Sequence, residues 1–245
     1  MKSRSDDPVV ALVAAAGSGS RLGGEVPKAL RPLAGVPLVA HSLARLAAGG
    51  VERAVVVVAD GLQPDFERAL SDAPIPWQLV IGGSERQHSV RRGLDLIGRS
   101  GPAEIVLVHD AARPMVPPSV VAAVIAAVRA GHVAVVPALP VVDSIRRVDS
   151  RGTADGSIVS EVVDRAPLRA VQTPQGFAYA TLVAAHDHVA RLGLEVTDDA
   201  ACCEAIGESV HLVPGSRLAM KVTEPTDMVV AEALLAAFGE QVRRS

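Results

Sequence analysis

Aromatic side chains are almost missing from this 245-residue chain: three Phe, one Trp and one Tyr make up 2% of it. Platforms for stacking unpaired bases are therefore close to absent, and the core must be built from Ala, Val and Leu. Cysteine is scarcer still. Cys202 and Cys203 are adjacent, which matches neither a disulfide framework nor a metal-ligand spacing. The pair reads as small core residues in a reducing compartment, and a cytoplasmic setting is expected. An excess of one charge is also lacking, since 24 Lys and Arg meet 27 Asp and Glu for a formal charge of −3. That balance argues against a nucleic-acid partner, which would require a concentrated basic face. The longest apolar runs, such as residues 120–128 and 133–142, fall well short of the ~18 residues that cross a bilayer, so no membrane partner is expected. Lys2 and Arg4 ahead of the apolar run at 9–16 imitate a signal peptide, but Asp6, Asp7 and Pro8 interrupt the junction.

What is present is a core-forming chain, 49% hydrophobic, with apolar β-branched runs between helical patterns. Residues 9–16, 54–59, 77–81, 104–109 and 133–137 read as buried strands, and 38–48, 64–71, 89–97 and 117–130 as helices. The expected fold is α/β, a Rossmann-like, mostly parallel sheet covered by helices on both faces. Residues 141–171 break the rhythm with charges, Gly152 and Gly156, and predict a protruding β-arm on a single domain spanning 1–245. A helix at 178–192, another opening at Thr197-Asp198-Asp199, strands at 210–213 and 218–222 and a closing helix from about Pro225 complete the pattern. Ligands of open α/β sheets bind beyond the carboxyl ends of the strands, which directs attention to the loops after Ala16, Ile81 and His109.

The first of these loops is Ala14-Ala15-Ala16-Gly17-Ser18-Gly19-Ser20-Arg21, followed by Pro27-Lys28. Glycines let backbone N–H groups approach phosphate, and Arg21 and Lys28 add fixed cations. A dinucleotide-binding fingerprint fails because position 22 is Leu, and a P-loop fails because Gly24 is followed by Glu25. An ordinary glycine-rich turn with two solvated cations is the plainer alternative. His109-Asp110-Ala111-Ala112-Arg113 places a carboxylate at a strand's carboxyl end, where Asp110 suits Mg²⁺, a hard cation with oxygen ligands; a turn-forming Asp is the alternative. Ser84 is expected to cap the helix after the third strand, and Ser89 could hydrogen-bond a base there. Thr197-Asp198-Asp199 reads as a helix N-cap with first-turn acids. His186 and His188 lie two apart on a helix and form no metal site.

The Ala-Ala-Gly-x-Gly-x-Arg…Pro-Lys loop resembles that of the nucleotidylyltransferases that activate sugars and polyols. Together with Gly82-Gly83-Ser84-Glu85-Arg86-Gln87-His88-Ser89, Asp110-Ala111-Ala112-Arg113-Pro114, Asp143-Ser144, Asp164-Arg165, Gln172-Thr173-Pro174-Gln175, Thr197-Asp198-Asp199 and Lys221-Val222-Thr223, it resembles the 2-C-methyl-D-erythritol 4-phosphate cytidylyltransferases over nearly the whole chain. The resemblance implies transfer of CMP from CTP to 2-C-methyl-D-erythritol 4-phosphate in non-mevalonate isoprenoid precursor synthesis. Arg21 and Lys28 would be catalytic, and Ala15, Ala16, Gly17, Gly19, Gly83, Arg86, Ser89 and Ala111 would bind nucleotide. Asp110, Arg113, Ser144, Arg165, Thr173 and Lys221 would bind the acceptor, with Lys221 on the late strand. Mg²⁺ would be the cofactor at Asp110, and two chains would form a homodimer whose arms cross to the partner's site. Ser84, Ser144 and Ala219 stand where the family pattern often has Asp, Thr and Asn; Ala219 removes a polar group that could face the metal. A nucleotidylyltransferase for another sugar or polyol phosphate and a non-catalytic nucleotide-binding module are the competing functions.

Overall fold

The computed structural model describes residues 8–17, 26–101, 103–148 and 159–244. The first half follows the expected alternation. β1 (Val9–Ala14) leads past the short pair β2 (Pro32–Leu33) and β3 (Val36–Pro37) into α1 (Leu38–Ala48). β4 (Arg53–Val58), α2 (Gln63–Ala69), β5 (Trp77–Ile81), α3 (Arg86–Arg99), β6 (Ile105–Asp110), α4 (Pro118–Arg129) and β7 (Ala134–Pro140) follow. The sheet runs in the order β6, β1, β4, β5 through parallel pairs.

Continuous apolar strands are what such a sheet needs, because both of its faces are covered. Alternate side chains of β1 point to opposite faces. Val9, Ala11 and Val13 pack with Val39, Leu43 and Leu46 of α1, Phe66 of α2 and Val121 and Val124 of α4. Val10 and Leu12 pack on the other side with Val90, Leu94 and Ile97 of α3. Each fully buried Val or Leu contributes about 1.5–3 kcal/mol, so the two apolar layers clamp the sheet between helices. Close approach is enforced at Gly93, where an added Cβ would lie 2.7 Å from Leu12 Cδ1.

The second half departs from the simple pattern. β8 (Ile145–Val148) and β9 (Val159–Val163) pair only with each other, antiparallel, among the described residues and form the arm. The expected arm reaches too far, however: β10 (Arg169–Val171) belongs to the main sheet, paired antiparallel with β7. β11 (Gln175–Ala178) then inserts antiparallel between β6 and β7. α5 (Tyr179–Leu192) and α6 (Asp199–Ala205) add their apolar sides, with Cys202 and Cys203, to the layer that holds α3. Both thiols are free and buried, and burial pushes each up to about 12. β12 (Val210–Pro214) pairs parallel with β7, and α7 (Pro225–Arg244) closes the chain.

The strand expected at 218–222 is absent. In its place Ser216 caps a 3₁₀ turn, Arg217–Ala219, accepting from Leu218 N at 3.2 Å. The chain then crosses the carboxyl edge of the sheet, where Val222 N donates to Ala112 O at 2.8 Å. The local alternation of Leu218, Met220 and Val222 imitates a strand, but Ala219 and Val222 are buried in separate apolar clusters.

Candidate active site

β1 is flanked by β4 on one side and β6 on the other, so the connections to its two neighbours diverge and a crevice opens at the carboxyl ends. A cleft of about 260 Å³ lies there, lined by residues 14–17, Lys28, Gly83–Arg86, Ser89, Asp110–Ala112 and Lys221. Most of the expected nucleotide residues, Ala15, Ala16, Gly17, Gly83, Arg86, Ser89 and Ala111, therefore converge on one space. Gly19 and Arg21 lie outside the described residues. The two edges of the cleft meet closely at Gly82, where a Cβ would stand 2.9 Å from the Ala16 Cβ and 2.8 Å from Ser89 Oγ.

Ser84 does not cap α3. The N-cap position is Glu85, without a side-chain cap bond, and Ser84 Oγ instead faces His88 Nδ1 at 3.3 Å. The loop is held by Ser89, whose Oγ accepts from Gly83 N at 3.0 Å. Arg86 is the first residue of α3 and lines the cleft with Ser89.

Asp110 ends β6 and is 14% exposed. Lys221 Nζ reaches its Oδ2 at 2.8 Å and Arg113 Nε approaches the same oxygen at 3.8 Å. Burial alone would raise the Asp110 pKa, but the Lys221 ion pair and hydrogen bond, with Arg86 and Arg113, hold it below the ordinary carboxylate value. Asp110 is therefore ionised at neutral pH. Arg113 donates its other arm to Ala219 O at 2.7 Å, so the segment after β12 reaches the Asp110 turn through both a backbone carbonyl and Lys221. Among the described residues no three His, Cys, Asp or Glu converge on a metal position. A single carboxylate is nevertheless compatible with Mg²⁺, which takes one or two carboxylates and completes its shell with phosphate and water. Asp110 would supply the protein carboxylate for such an ion, beside the cations Lys221 and Arg113.

Thr173 is placed behind the cleft rather than in it. Its Oγ1 accepts from Asp110 N at 3.1 Å and lies 3.1 Å from His109 Nδ1. His109 Nε2 faces Arg113 O at 3.3 Å. A carbonyl can only accept, so Nε2 carries the proton, Nδ1 accepts from the Thr173 hydroxyl, and the neutral ring bridges both ends of the Asp110–Arg113 turn. Burial pushes the His109 pKa down to about 4, against the pull of Asp110. Ser144 and Arg165 are exposed on the arm side and line no part of this cleft; Arg165 donates to Val142 O.

Residues around Lys221 and α6 carry weight here too, among them Asp227, which the sequence did not single out. Asp227 accepts from Thr223 N at 2.7 Å and Glu224 N at 2.8 Å, and Thr223 Oγ1 donates to Lys221 O at 3.1 Å. That small cap fixes the backbone beneath Lys221. Asp198 is the N-cap of α6, as expected, accepting from Ala201 N at 3.0 Å. Asp199 is the expected first-turn acid of α6, and it is buried between Arg86 and His186. A carboxylate directly followed by Ala200-Ala201-Cys202-Cys203 was the available signal, since that small apolar run marks a buried helix side.

The model of the family of 2-C-methyl-D-erythritol 4-phosphate cytidylyltransferases matches residues 9–237. A protein of that name from Streptomyces coelicolor is 47% identical over 241 residues, covering 95% of this chain and 87% of its own. One from Saccharopolyspora erythraea is 48% identical over 230 residues, covering 93% and 99%. The crystal structure of the Thermus thermophilus protein of that name superposes with a TM-score of 0.76 at 35% identity, covering 94% of this chain and 99% of that one.

Proposed function

The chain belongs to the 2-C-methyl-D-erythritol 4-phosphate cytidylyltransferase family, and from that membership we propose that it transfers CMP from CTP to 2-C-methyl-D-erythritol 4-phosphate, releasing pyrophosphate, with the cleft at β1, β4 and β6 as its active site. The observation that carries this is the pairing of Asp110 with Lys221 and Arg113, with Asp110 and Lys221 lining the same cleft as Lys28 and residues 14–17, on residues that the family model spans.

The acceptor's phosphomonoester is largely dianionic at neutral pH, its second pKa lying near ~6, so no protein base is needed. An oxygen of that phosphate forms a bond to the α-phosphorus of CTP while the bond from the α-phosphorus to the β-phosphate oxygen breaks, and pyrophosphate leaves with that electron pair. The work left to the protein is to bring anions together and to stabilise charge as it moves. Lys28 lines the cleft beside the first loop, where it would meet the triphosphate, and Arg21 is assigned to the same task from the sequence. Gly83, Arg86 and Ser89 form the nucleotide wall with the backbone of Ala15, Ala16, Gly17 and Ala111, and Gly19 is assigned to nucleotide binding from the sequence. Lys221 and Arg113 meet the acceptor phosphate, and Asp110 keeps these two cations in place. Asp110 is also the residue that would hold Mg²⁺, which when bound neutralises phosphate charge between donor and acceptor. Thr173 acts on Asp110 from behind.

Ser144 and Arg165 belong to a partner's site in this proposal, and the working unit is a homodimer. Val142, Val148 and Val162 are 59%, 51% and 67% exposed on the arm, and a two-stranded hairpin is marginal alone in water. The enzyme works in the cytoplasm, a setting supported by two buried, free thiols. Release of pyrophosphate measured with each nucleoside triphosphate against 2-C-methyl-D-erythritol 4-phosphate and other polyol phosphates tests the function. Turnover confined to CTP and the methylerythritol phosphate supports it; preference for another pair refutes it.

A further inference from the structure

Asp199 opens α6 and is 1% exposed, yet nothing in the transfer just described uses it. Both of its oxygens are taken. Oδ2 accepts from Arg86 at 2.6 Å and Oδ1 accepts from His186 Nε2 at 3.1 Å. His186 is itself 1% exposed, and its Nδ1 is buried with no partner among the described residues, so the ring is tied through Nε2 alone. A carboxylate in such surroundings persists only when it is paired and hydrogen-bonded. Capping α6 does not require it, since Asp198 already fills that role.

The pairing has a direction. Arg86 lies far away in sequence, at the first residue of α3, and its side chain, 37% exposed, lines the cleft. A guanidinium is a planar fork, so a carboxylate holding one arm fixes the plane in which the remaining donors lie. Asp199 is in turn fixed to the sheet. Gln175 of β11 donates from Nε2 to Asp198 Oδ2 at 2.8 Å and accepts from Ala200 N at 3.2 Å. β11 is hydrogen-bonded to β6, the strand that ends in Asp110. A rigid path therefore runs from the sheet through α6 to the arginine that α3 presents at the cleft wall.

We infer that Asp199 is a positioning residue for the nucleotide: it holds the Arg86 fork at the cleft in the orientation that meets CTP, and His186 holds Asp199. The inference rests on the assignment of the cleft to CTP. The test is steady-state kinetics of the full-length enzyme with CTP and acceptor varied in turn, alongside thermal unfolding of the same samples. Asp199→Asn should raise the KM for CTP about 10-fold, the size of one lost charge-assisted contact, with a smaller change in the KM for the acceptor. In an Arg86→Ala background the same substitution should leave the KM for CTP where Arg86→Ala alone puts it. A lower melting temperature with unchanged KM for CTP, or an effect of Asp199→Asn that persists without Arg86, overturns the inference. Should Asp199→Asn not fold, His186→Leu carries the test, with a rise of about 3-fold that also disappears without Arg86; no rise, or one that persists, overturns it. An Arg86→Ala enzyme with normal KM for CTP overturns it through Arg86 itself. A wild-type protein that releases no pyrophosphate from CTP refutes the functional reading instead, before any variant is compared.

Discussion

Asp110 and His109 are neighbours on β6 with opposite needs. Asp110 must stay charged between Lys221 and Arg113, and His109 must stay neutral beneath it. Asp110→Asn keeps the shape and removes the charge, so it leaves two cations facing each other and no carboxylate for a divalent ion. Turnover should fall by ~10²-fold or more, with the far-ultraviolet circular dichroism of the wild type retained; normal activity with unchanged Mg²⁺ dependence would remove Asp110 from the site. His109 offers a pH test. The unfolded ring titrates near 6.5 and the native one at about 4, so between these values the unfolded state binds more protons and stability rises with pH. The contribution is complete above pH 6.5 and is lost as pH falls toward 4, on the order of 3 kcal/mol. His109→Asn should flatten that limb in denaturant titrations across this range. Asp199 adds a second acid-sensitive contribution: burial would raise its pKa, but the His186 bond and the Arg86 charge bring it below the ordinary carboxylate value. Its contribution is therefore full above the unfolded value and lost at more acid pH than that of His109.

At the scale of elements, the strands of the first half were legible because each is a continuous apolar run of the length a doubly covered strand requires, and their observed limits differ from the expected ones by a few residues. The helices were legible from their periodicity and from Pro near the opening of α4. Residues 218–222 were not, because a short alternating stretch looks the same as a strand or as a turn whose residues drop into two different clusters. β10 and β11 were hidden for a related reason. Residues 169–178 are too short and too mixed in polarity to be distinguished from the arm that precedes them, and only pairing with β6 and β7 makes them strands. Gly93 shows how closely α3 lies on β1. Gly93→Ala would press a methyl against Leu12 and should cost about 1–3 kcal/mol, read as a lower denaturant midpoint with little change in the slope; an unaltered midpoint would mean that α3 shifts freely.

The whole molecule poses the question of the arm. In one chain the cleft holds Lys28, Asp110 and Lys221 but neither Ser144 nor Arg165. If two chains share their sites by two-fold symmetry, Lys28→Ala and Arg165→Ala homodimers should each be nearly inactive. A mixed dimer then holds one site with both residues intact and one with both missing, and activity should return after subunit exchange. Pairing the double variant with wild type should give a mixed dimer without an intact site, because each of its sites lacks one residue. Mixed single variants that stay inactive, although mass measurements confirm exchange, would place Arg165 in its own chain's site.

The order of motifs along the chain, the α/β alternation and the residue types at the strand ends were determined by the sequence alone, because glycine loops, apolar runs and terminal carboxylates have local physical causes. Tertiary structure decided what each of those residues touches. Lys221 meets the distant Asp110 only because the segment after β12 crosses the sheet edge, and Thr173 turns its hydroxyl to His109 and Asp110 only because β11 lies beside β6. The sequence reads Asp199 only as a first-turn acid, and its burial between Arg86 and His186 is decided by the packing of α6 against α5 and α3's Arg86. Burial and partners are properties of where elements meet, and no pattern within one element contains them.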